Sequence, residues 1–140
     1  MTDDKGGIPP DPAWRTPGHQ QVTARLGRSL AHIDLAAELE LLRGEEVYTR
    51  VGRNAKTLVK RSGFRVVLTA IRCGCRISEH EAAGPLTVQA VAGRFRMRLP
   101  QGEVEMAAGH LLALEPRERH DVEALEDSGF LLTIAGPETP

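Results

Sequence analysis

The chain of 140 residues (15.3 kDa) is long enough for one domain with an ordinary hydrophobic core and too short for a two-domain enzyme. Hydrophobic residues make up 41% of the chain and charged residues 26%, a balance that excludes an integral membrane protein and a fully disordered one. The formal net charge of −1 provides no general attraction to nucleic acid or anionic lipid, so neither is expected as a partner.

The first 25 residues are rich in proline and glycine and contain few apolar side chains. Such a composition does not offset the entropy lost on ordering, so we predict a flexible tail over residues 1–25 and a single domain over residues 26–140. In that domain Leu35, Leu39 and Leu42 repeat at the spacing of a helix face. Asp34 is placed to cap the start of this helix and Gly44 to end it. One short helix is therefore predicted over residues 34–43, and its leucines must pack on the domain or on a second subunit.

After Gly44 the apolar residues follow the two-residue period of β-strands. Many short strands separated by glycine and proline predict an all-β sandwich or barrel rather than a parallel sheet with crossover helices. The predicted strands span residues 45–51, 56–60, 64–73, 86–92, 94–99, 103–107, 111–114, 120–124 and 130–135.

One hairpin can be given a register from the sequence. A two-residue turn at Gln101 and Gly102 would place Met97 opposite Met106 on one face. The same register places Arg98 opposite Glu105 on the other face. The alternating arginines of this segment are therefore interpreted as a solvated outer face rather than as a nucleic-acid-binding patch.

The cysteine spacing and the amino-terminal residues indicate the cellular compartment of the protein. Cys73 and Cys75 are separated only by Gly74, and a disulfide across so short a span would be strained. We expect two reduced, buried thiols rather than a redox pair or a soft-metal site. Residues 1–4 lack the basic-then-apolar order of a signal peptide, and no apolar run is long enough to span a membrane. These features predict a cytoplasmic protein.

Two glycine–histidine spacings are found between residues 74 and 120. Five residues separate Gly74 from His80, Gly93 closes that segment, and ten residues separate Gly109 from His120. These spacings resemble the two sequence motifs of the cupin superfamily, which are small jelly-roll proteins. The resemblance implies an all-β fold, namely a cupin-type (jelly-roll) β-barrel preceded by one short N-terminal helix. It also implies a homodimer, which would give the leucine stripe of the helix a partner.

The resemblance implies a metal site of three histidines and a glutamate, of which only His80 and His120 are present. Ala82 stands at the place of the second histidine and Leu86 at the place of the glutamate. Two imidazoles are a weak site for a first-row divalent metal, so we expect low metal occupancy at most. Gln89 is a candidate substitute ligand, but in a regular strand it points away from Leu86 unless a bulge intervenes.

The second motif departs from the family pattern as well. Glu115, Arg117 and Ala124 stand at the places of its proline, glycine and asparagine. The leading functional prediction is therefore a small-molecule-binding protein with a degenerate metal site.

In this prediction His80, His120, Leu86 and Val88 hold the ligand in the barrel. Imidazoles can bind an anionic or carbonyl ligand, and they can transfer protons near neutral pH. The alternative is a metal-dependent enzyme of dioxygenase or isomerase type with a nonstandard ligand set. A third hypothesis is a regulatory or interaction domain that uses the barrel as a scaffold.

The segment over residues 52–60 resembles a stretch that precedes the barrel in a subgroup of small cupins. Its cations Arg53, Lys56 and Lys60 are suited to a phosphate or carboxylate ligand. Lysines that protect an edge strand from pairing with another chain explain them equally well.

Overall fold

The computed structural model describes residues 23–25 and 30–136, and it describes the side chains of residues 30–78 and 81–136. The chain divides into two compact units, residues 1–38 and residues 39–140. Most of the predicted tail lies outside the described residues, so its flexibility stays a prediction. None of the described helices is long and apolar enough to cross a membrane.

Eleven strands and two helices are found among the described residues. In chain order they are β1 (Thr23–Arg25), β2 (Ala31–Ile33), α1 (Leu35–Gly44), α2 (Glu46–Val51), β3 (Arg53–Arg61), β4 (Phe64–Ile71), β5 (Arg76–His80), β6 (Leu86–Ala92), β7 (Arg94–Leu99), β8 (Gly102–Ala107), β9 (Leu111–Leu114), β10 (His120–Ala124) and β11 (Ser128–Ala135).

The first unit contains an antiparallel pair of short strands and the start of helix α1. Ala24 of β1 lies opposite His32 of β2. At the start of α1 the amide of Ala37 donates to Asp34 Oδ1 at 3.1 Å, which satisfies one of the unpaired amides of the first helical turn. The predicted helix and its Asp34 cap are confirmed.

The second unit consists of two antiparallel sheets, ordered β5-β10-β7-β8 and β3-β4-β11-β6-β9. This nested order is typical of a jelly roll. Both sheets contribute to one core, in which the ring centroids of Phe95 and Phe130 lie 5.0 Å apart. The prediction of an all-β fold is confirmed. The predicted jelly-roll barrel is not closed, because no described strand pairs across the two sheets and they form a sandwich.

In the second unit, Leu39 and Leu42 of helix α1 are buried, with 3% and 2% of their surface exposed. A Cβ atom at Gly129 would lie 2.5 Å from Leu39 Cδ2, so the glycine allows the leucine to lie directly on β11. Because both leucines are already covered, they do not require a second subunit.

Residues 45–51 were expected to form a strand, and that prediction is wrong because residues 46–51 form the helix α2. The described residues therefore contain two helices rather than the one predicted. Tyr48 of this helix is buried, and Gly52 ends the helix with φ at +84° and an N–H that donates to Tyr48 O at 2.7 Å. The left-handed glycine cap and the burial of Tyr48 outweigh the strand preference of the β-branched residues.

Strand β5 was not predicted. Ile77 is the only apolar residue of β5. The strand lies at the edge of the four-stranded sheet, and of its described side chains Arg76 and Ser78 are exposed and Ile77 is half-buried. The two-residue apolar period that identified the other strands is therefore absent from β5. This strand ends at His80, one of the two histidines of the predicted site.

The cysteines lie outside the strands. Strand β4 ends at Ile71 rather than at residue 73, and Gly74 adopts φ at +87° in the turn that follows. Both thiols are free, but Cys73 is exposed while Cys75 is partly buried against the core. The prediction of two buried cysteines is wrong for Cys73, because the turn takes it away from the sheet.

The β7–β8 hairpin differs from its predicted register by two residues. Met97 pairs with Val104 and Arg98 with Glu103, so the turn is at Pro100 and Gln101. A shift of two residues leaves every side chain on its predicted face, since side chains alternate with a period of two. The arginines form ion pairs with glutamates of neighbouring strands, such as Arg98 Nε to Glu103 Oε2 at 3.1 Å.

Candidate functional site

A cavity of about 470 Å³ lies where the β3–β4 turn, the β5–β6 loop and the end of β11 meet. Its walls also include Leu86 of β6 and His120 of β10. The volume is within the range of roughly 300–1,000 Å³ that is typical of small-molecule sites. We refer to this space as the His120 cavity.

His120 is the buried polar group of this cavity, with 2% of its surface exposed. Its Nδ1 lies 2.9 Å from the backbone oxygen of Glu118. A carbonyl oxygen only accepts hydrogen bonds, so Nδ1 carries the proton and donates it. In a neutral imidazole the lone pair is then on Nε2, which can accept a hydrogen bond or bind a metal.

The wall around His120 is apolar and includes Ala82, Leu86, Leu132 and Ile134. Ala82 and Leu86 are the two residues that replace metal ligands in the predicted motif. The cavity is therefore lined by His120 and by hydrocarbon from the two residues that stand at ligand places of the motif.

The β5–β6 loop is held against neighbouring segments by its backbone. The amide of Arg117 donates to Ala82 O at 2.7 Å, and Arg117 has φ at +64°. Among the described residues other than glycine it alone has positive φ. Arg117 stands at the glycine place of the second motif, so the left-handed turn is present without the glycine that would favour it.

The rim of the cavity is charged. Lys60, Arg61 and Arg65 line it from the β3–β4 hairpin, and Glu81 lines it from the β5–β6 loop. Glu81 Oε2 lies 3.9 Å from Arg117 Nη1. Cations thus outnumber the carboxylates that line the rim.

The predicted site residues occupy different environments. His120 and Leu86 line the cavity, and the backbone of His80 pairs directly with that of His120 between β5 and β10. Val88 is fully buried in the core and does not line the cavity. Gln89 is exposed on the face of β6 opposite Leu86, away from the cavity.

Three residues that line the cavity were not predicted as site residues, namely Arg61, Phe64 and Arg65. The hairpin arithmetic applied to β7 and β8 would have found them. A two-residue turn at residues 62–63 pairs Arg61 with Phe64 and Lys60 with Arg65, which is the observed register.

The donor set of the cavity does not match the metal site that the resemblance implies. Among the described side chains, no group of three or more His, Cys, Asp and Glu residues is placed to hold a metal ion. With alanine and leucine at two ligand places, the described side chains do not fit a first-row metal, which usually takes three or four protein ligands.

A second cavity of about 450 Å³ lies against helix α2 and strands β3 and β4. Most of its wall is apolar, and Leu132 lines both cavities. Arg53, one of the cations singled out in the sequence, lines this second cavity, whereas Lys60 lines the His120 cavity. Lys56 lies between them on β3, the edge strand of its sheet, and is exposed.

Comparison with known proteins identifies the fold through structure rather than sequence. No protein-family model and no curated protein sequence matches the chain. The conserved protein SPY1581 of unknown function from Streptococcus pyogenes is 20% identical and superposes with a TM-score of 0.64, over 84% of this chain and 96% of that one.

A cupin superfamily protein from Desulfitobacterium hafniense is 13% identical, with a TM-score of 0.57 over 59% of this chain and 76% of that one. Ectoine synthase from P. lautus is 19% identical, with a TM-score of 0.55 over 64% of this chain and 67% of that one. These neighbours include an enzyme and proteins without an assigned reaction, so they identify the architecture and leave the chemistry open. Together with the jelly-roll strand order, they show that the chain has the fold of the cupin superfamily.

Proposed function

We propose that the protein binds a small organic molecule in the His120 cavity. The observation that carries the proposal is a buried imidazole with a defined tautomer in the apolar wall of a ligand-sized cavity. The hydrogen bond from Nδ1 to Glu118 O fixes the tautomer, and in this proposal the cavity-lining imidazole contacts a polar group of the ligand. Leu86, Leu132 and Ile134 bury the apolar part of that molecule.

His80 acts with His120 in this proposal. The two residues are backbone partners across β5 and β10, which supports their convergence at one site. Residues directly opposite each other on antiparallel strands are separated by only about 5 Å, so the proposed site includes both positions. Val88 supports the wall from the core, and Gln89 takes no part.

A metal-dependent enzyme is the second candidate. One observation favours it, namely that metal-binding histidines typically donate their other ring N–H to a backbone carbonyl or carboxylate, as His120 does to Glu118. Metal analysis of protein purified without an affinity tag distinguishes the two candidates. One equivalent of iron, zinc, nickel or manganese that is lost in both His80→Ala and His120→Ala would favour the enzyme, and metal well below one equivalent is expected.

The binding proposal is tested by screening small organic acids, alcohols and amides for stabilisation of the protein against heat. His120→Asn removes the imidazole, and Leu86→Phe fills the cavity while keeping an apolar wall. Gln89→Ala, on the outer face of the same strand as Leu86, is the matched control. Compounds that stabilise the wild type should stabilise Gln89→Ala equally and lose their effect in the other two variants.

Stabilisation that survives in both His120→Asn and Leu86→Phe would place the ligand elsewhere and contradict the proposal. A broad screen without any stabilising compound would contradict it as well. Circular dichroism of each variant separates loss of binding from loss of fold.

A further inference from the structure

Among the described residues, two cations on the rim of the His120 cavity lack the carboxylate partners that the arginines of the other sheet have. Lys60 and Arg65 are direct register partners on β3 and β4 and both line the cavity. Like charges directly opposite each other on neighbouring strands are unfavourable. Among the described residues, no carboxylate lies within ion-pair distance of either side chain.

The outer face of the other sheet provides the comparison. There Arg94 Nε lies 2.8 Å from Glu126 Oε2, and Arg98 Nη2 lies 2.8 Å from Glu123 Oε1. Arginines on that face are neutralised by glutamates of adjacent strands or of the β10–β11 turn, whereas the Lys60 and Arg65 pair has no such counterion among the described side chains. A pair of uncompensated cations on a cavity rim is a site at which an anion is stabilised.

The interior of the same cavity restricts what kind of anion fits. Leu86, Leu132 and Ile134 form an apolar wall. A small, fully hydrated anion would lose its water against this wall without replacing it. An anion that carries a hydrocarbon body satisfies both regions.

We propose that the ligand is an organic carboxylate, with its carboxylate between Lys60 and Arg65 and its apolar body against Leu86, Leu132 and Ile134. This inference rests on the proposed binding function and specifies its ligand class. Glu81, a carboxylate on the same rim, lies 3.9 Å from Arg117 Nη1, and this exposed ion pair offsets part of its repulsion of a bound carboxylate.

The test compares hexanoate with hexanamide, which has the same shape and hydrocarbon body but no charge. Both are titrated by calorimetry into the full-length wild type, Lys60→Gln, Arg65→Gln and the double variant. Lys56→Gln is the control, because Lys56 is exposed on the same strand and does not line the cavity.

Hexanoate should bind the wild type and Lys56→Gln about 10-fold more tightly than hexanamide. Lys60→Gln and Arg65→Gln should each weaken hexanoate by about 3- to 10-fold and leave hexanamide unchanged, because only the carboxylate contacts the cations. Added sodium chloride should weaken hexanoate alone.

Equal binding of the two probes to the wild type would overturn the carboxylate inference. The inference would also be overturned if Lys56→Gln lost as much hexanoate affinity as the rim variants, or if inorganic phosphate displaced hexanoate completely. Failure of both probes to bind would overturn it as well. If both probes bind equally and Leu86→Phe abolishes both, the binding function remains and only the ligand class is wrong. If neither probe binds and the broader screen also finds no ligand, both proposals fail.

Discussion

Replacement of Gly84 by alanine should destabilise the protein through a backbone collision at the wall of the His120 cavity. A Cβ atom at this position would lie 1.8 Å from Ala135 O, whereas real Cβ contacts are essentially never under 3.0 Å. The β5–β6 loop and the end of β11 must therefore separate by more than 1 Å. The hydrogen bond from Ala135 N to Pro85 O, at 2.9 Å, would then be broken or badly stretched.

The loss of one backbone hydrogen bond and of nearby packing predicts a decrease of about 1–3 kcal/mol in the free energy of unfolding. For a unit of this size, that decrease corresponds to a melting temperature lower by roughly 5–15 °C. Circular dichroism measures both quantities by thermal and denaturant unfolding. Gly44→Ala is the matched control, because a Cβ there has nothing within 4 Å. Equal melting temperatures for Gly84→Ala and Gly44→Ala would refute the reasoning.

Four other predictions follow from the sequence and the structure. Arg117→Gly should leave the melting temperature unchanged or raise it by a few degrees, because glycine adopts the +64° φ of this turn without the strain of about 1 kcal/mol; a large decrease would contradict this. Burial, and secondarily the charge of Asp127, raises the pKa of Tyr48, so this phenol should ionise above 10.0 in the folded protein. The protonated phenol therefore stabilises the folded protein fully below the pKa that Tyr48 has in the unfolded chain, and this stabilisation is lost as pH rises through the folded pKa. Because the chain has a single tyrosine, its absorbance in an alkaline titration measures the ionisation directly. Deletion of residues 1–18 should lower the melting temperature by no more than a few degrees, since their composition provides little apolar area, and limited proteolysis should cleave there first. Light scattering at tens of micromolar protein should detect the homodimer that the cupin resemblance implies, and a monomer at that concentration would exclude a stable dimer.

The helix and strands that could be predicted from the sequence are those with a local signal, such as capping residues at a helix end or apolar residues at every second position of a strand. Asp34 and Gly44 mark the ends of α1, and the apolar alternation of residues such as Leu86, Val88 and Ala90 identifies β6. The glycine–histidine spacings around His120 were sufficient to predict a cupin fold.

The features that could not be predicted depend on distant contacts. The alternating β-branched residues Val47, Thr49 and Val51 indicated a strand, but the burial of Tyr48 and the left-handed cap at Gly52 make this segment a helix. Strand β5 has too few apolar residues to be recognised, because it forms a sheet edge. The separation of the two sheets is likewise a property of strand pairing across the whole unit.

The candidate site was predicted in part. His120 and Leu86 could be assigned because their motif positions are fixed by spacing. The Lys60 and Arg65 pair could not be predicted, because the two cations are brought together by the β3–β4 register. Gln89 was a candidate metal ligand only because two of the four ligand places of the motif hold alanine and leucine.

A crystal structure of the protein with a compound that stabilises it in the thermal screen tests the binding proposal most directly. The account predicts density for that compound in the His120 cavity, with a donor atom at His120 Nε2 and hydrocarbon against Leu86 and Ile134. Density in the second cavity beside Val47 and Thr69, or on the outer surface of either sheet, would contradict it.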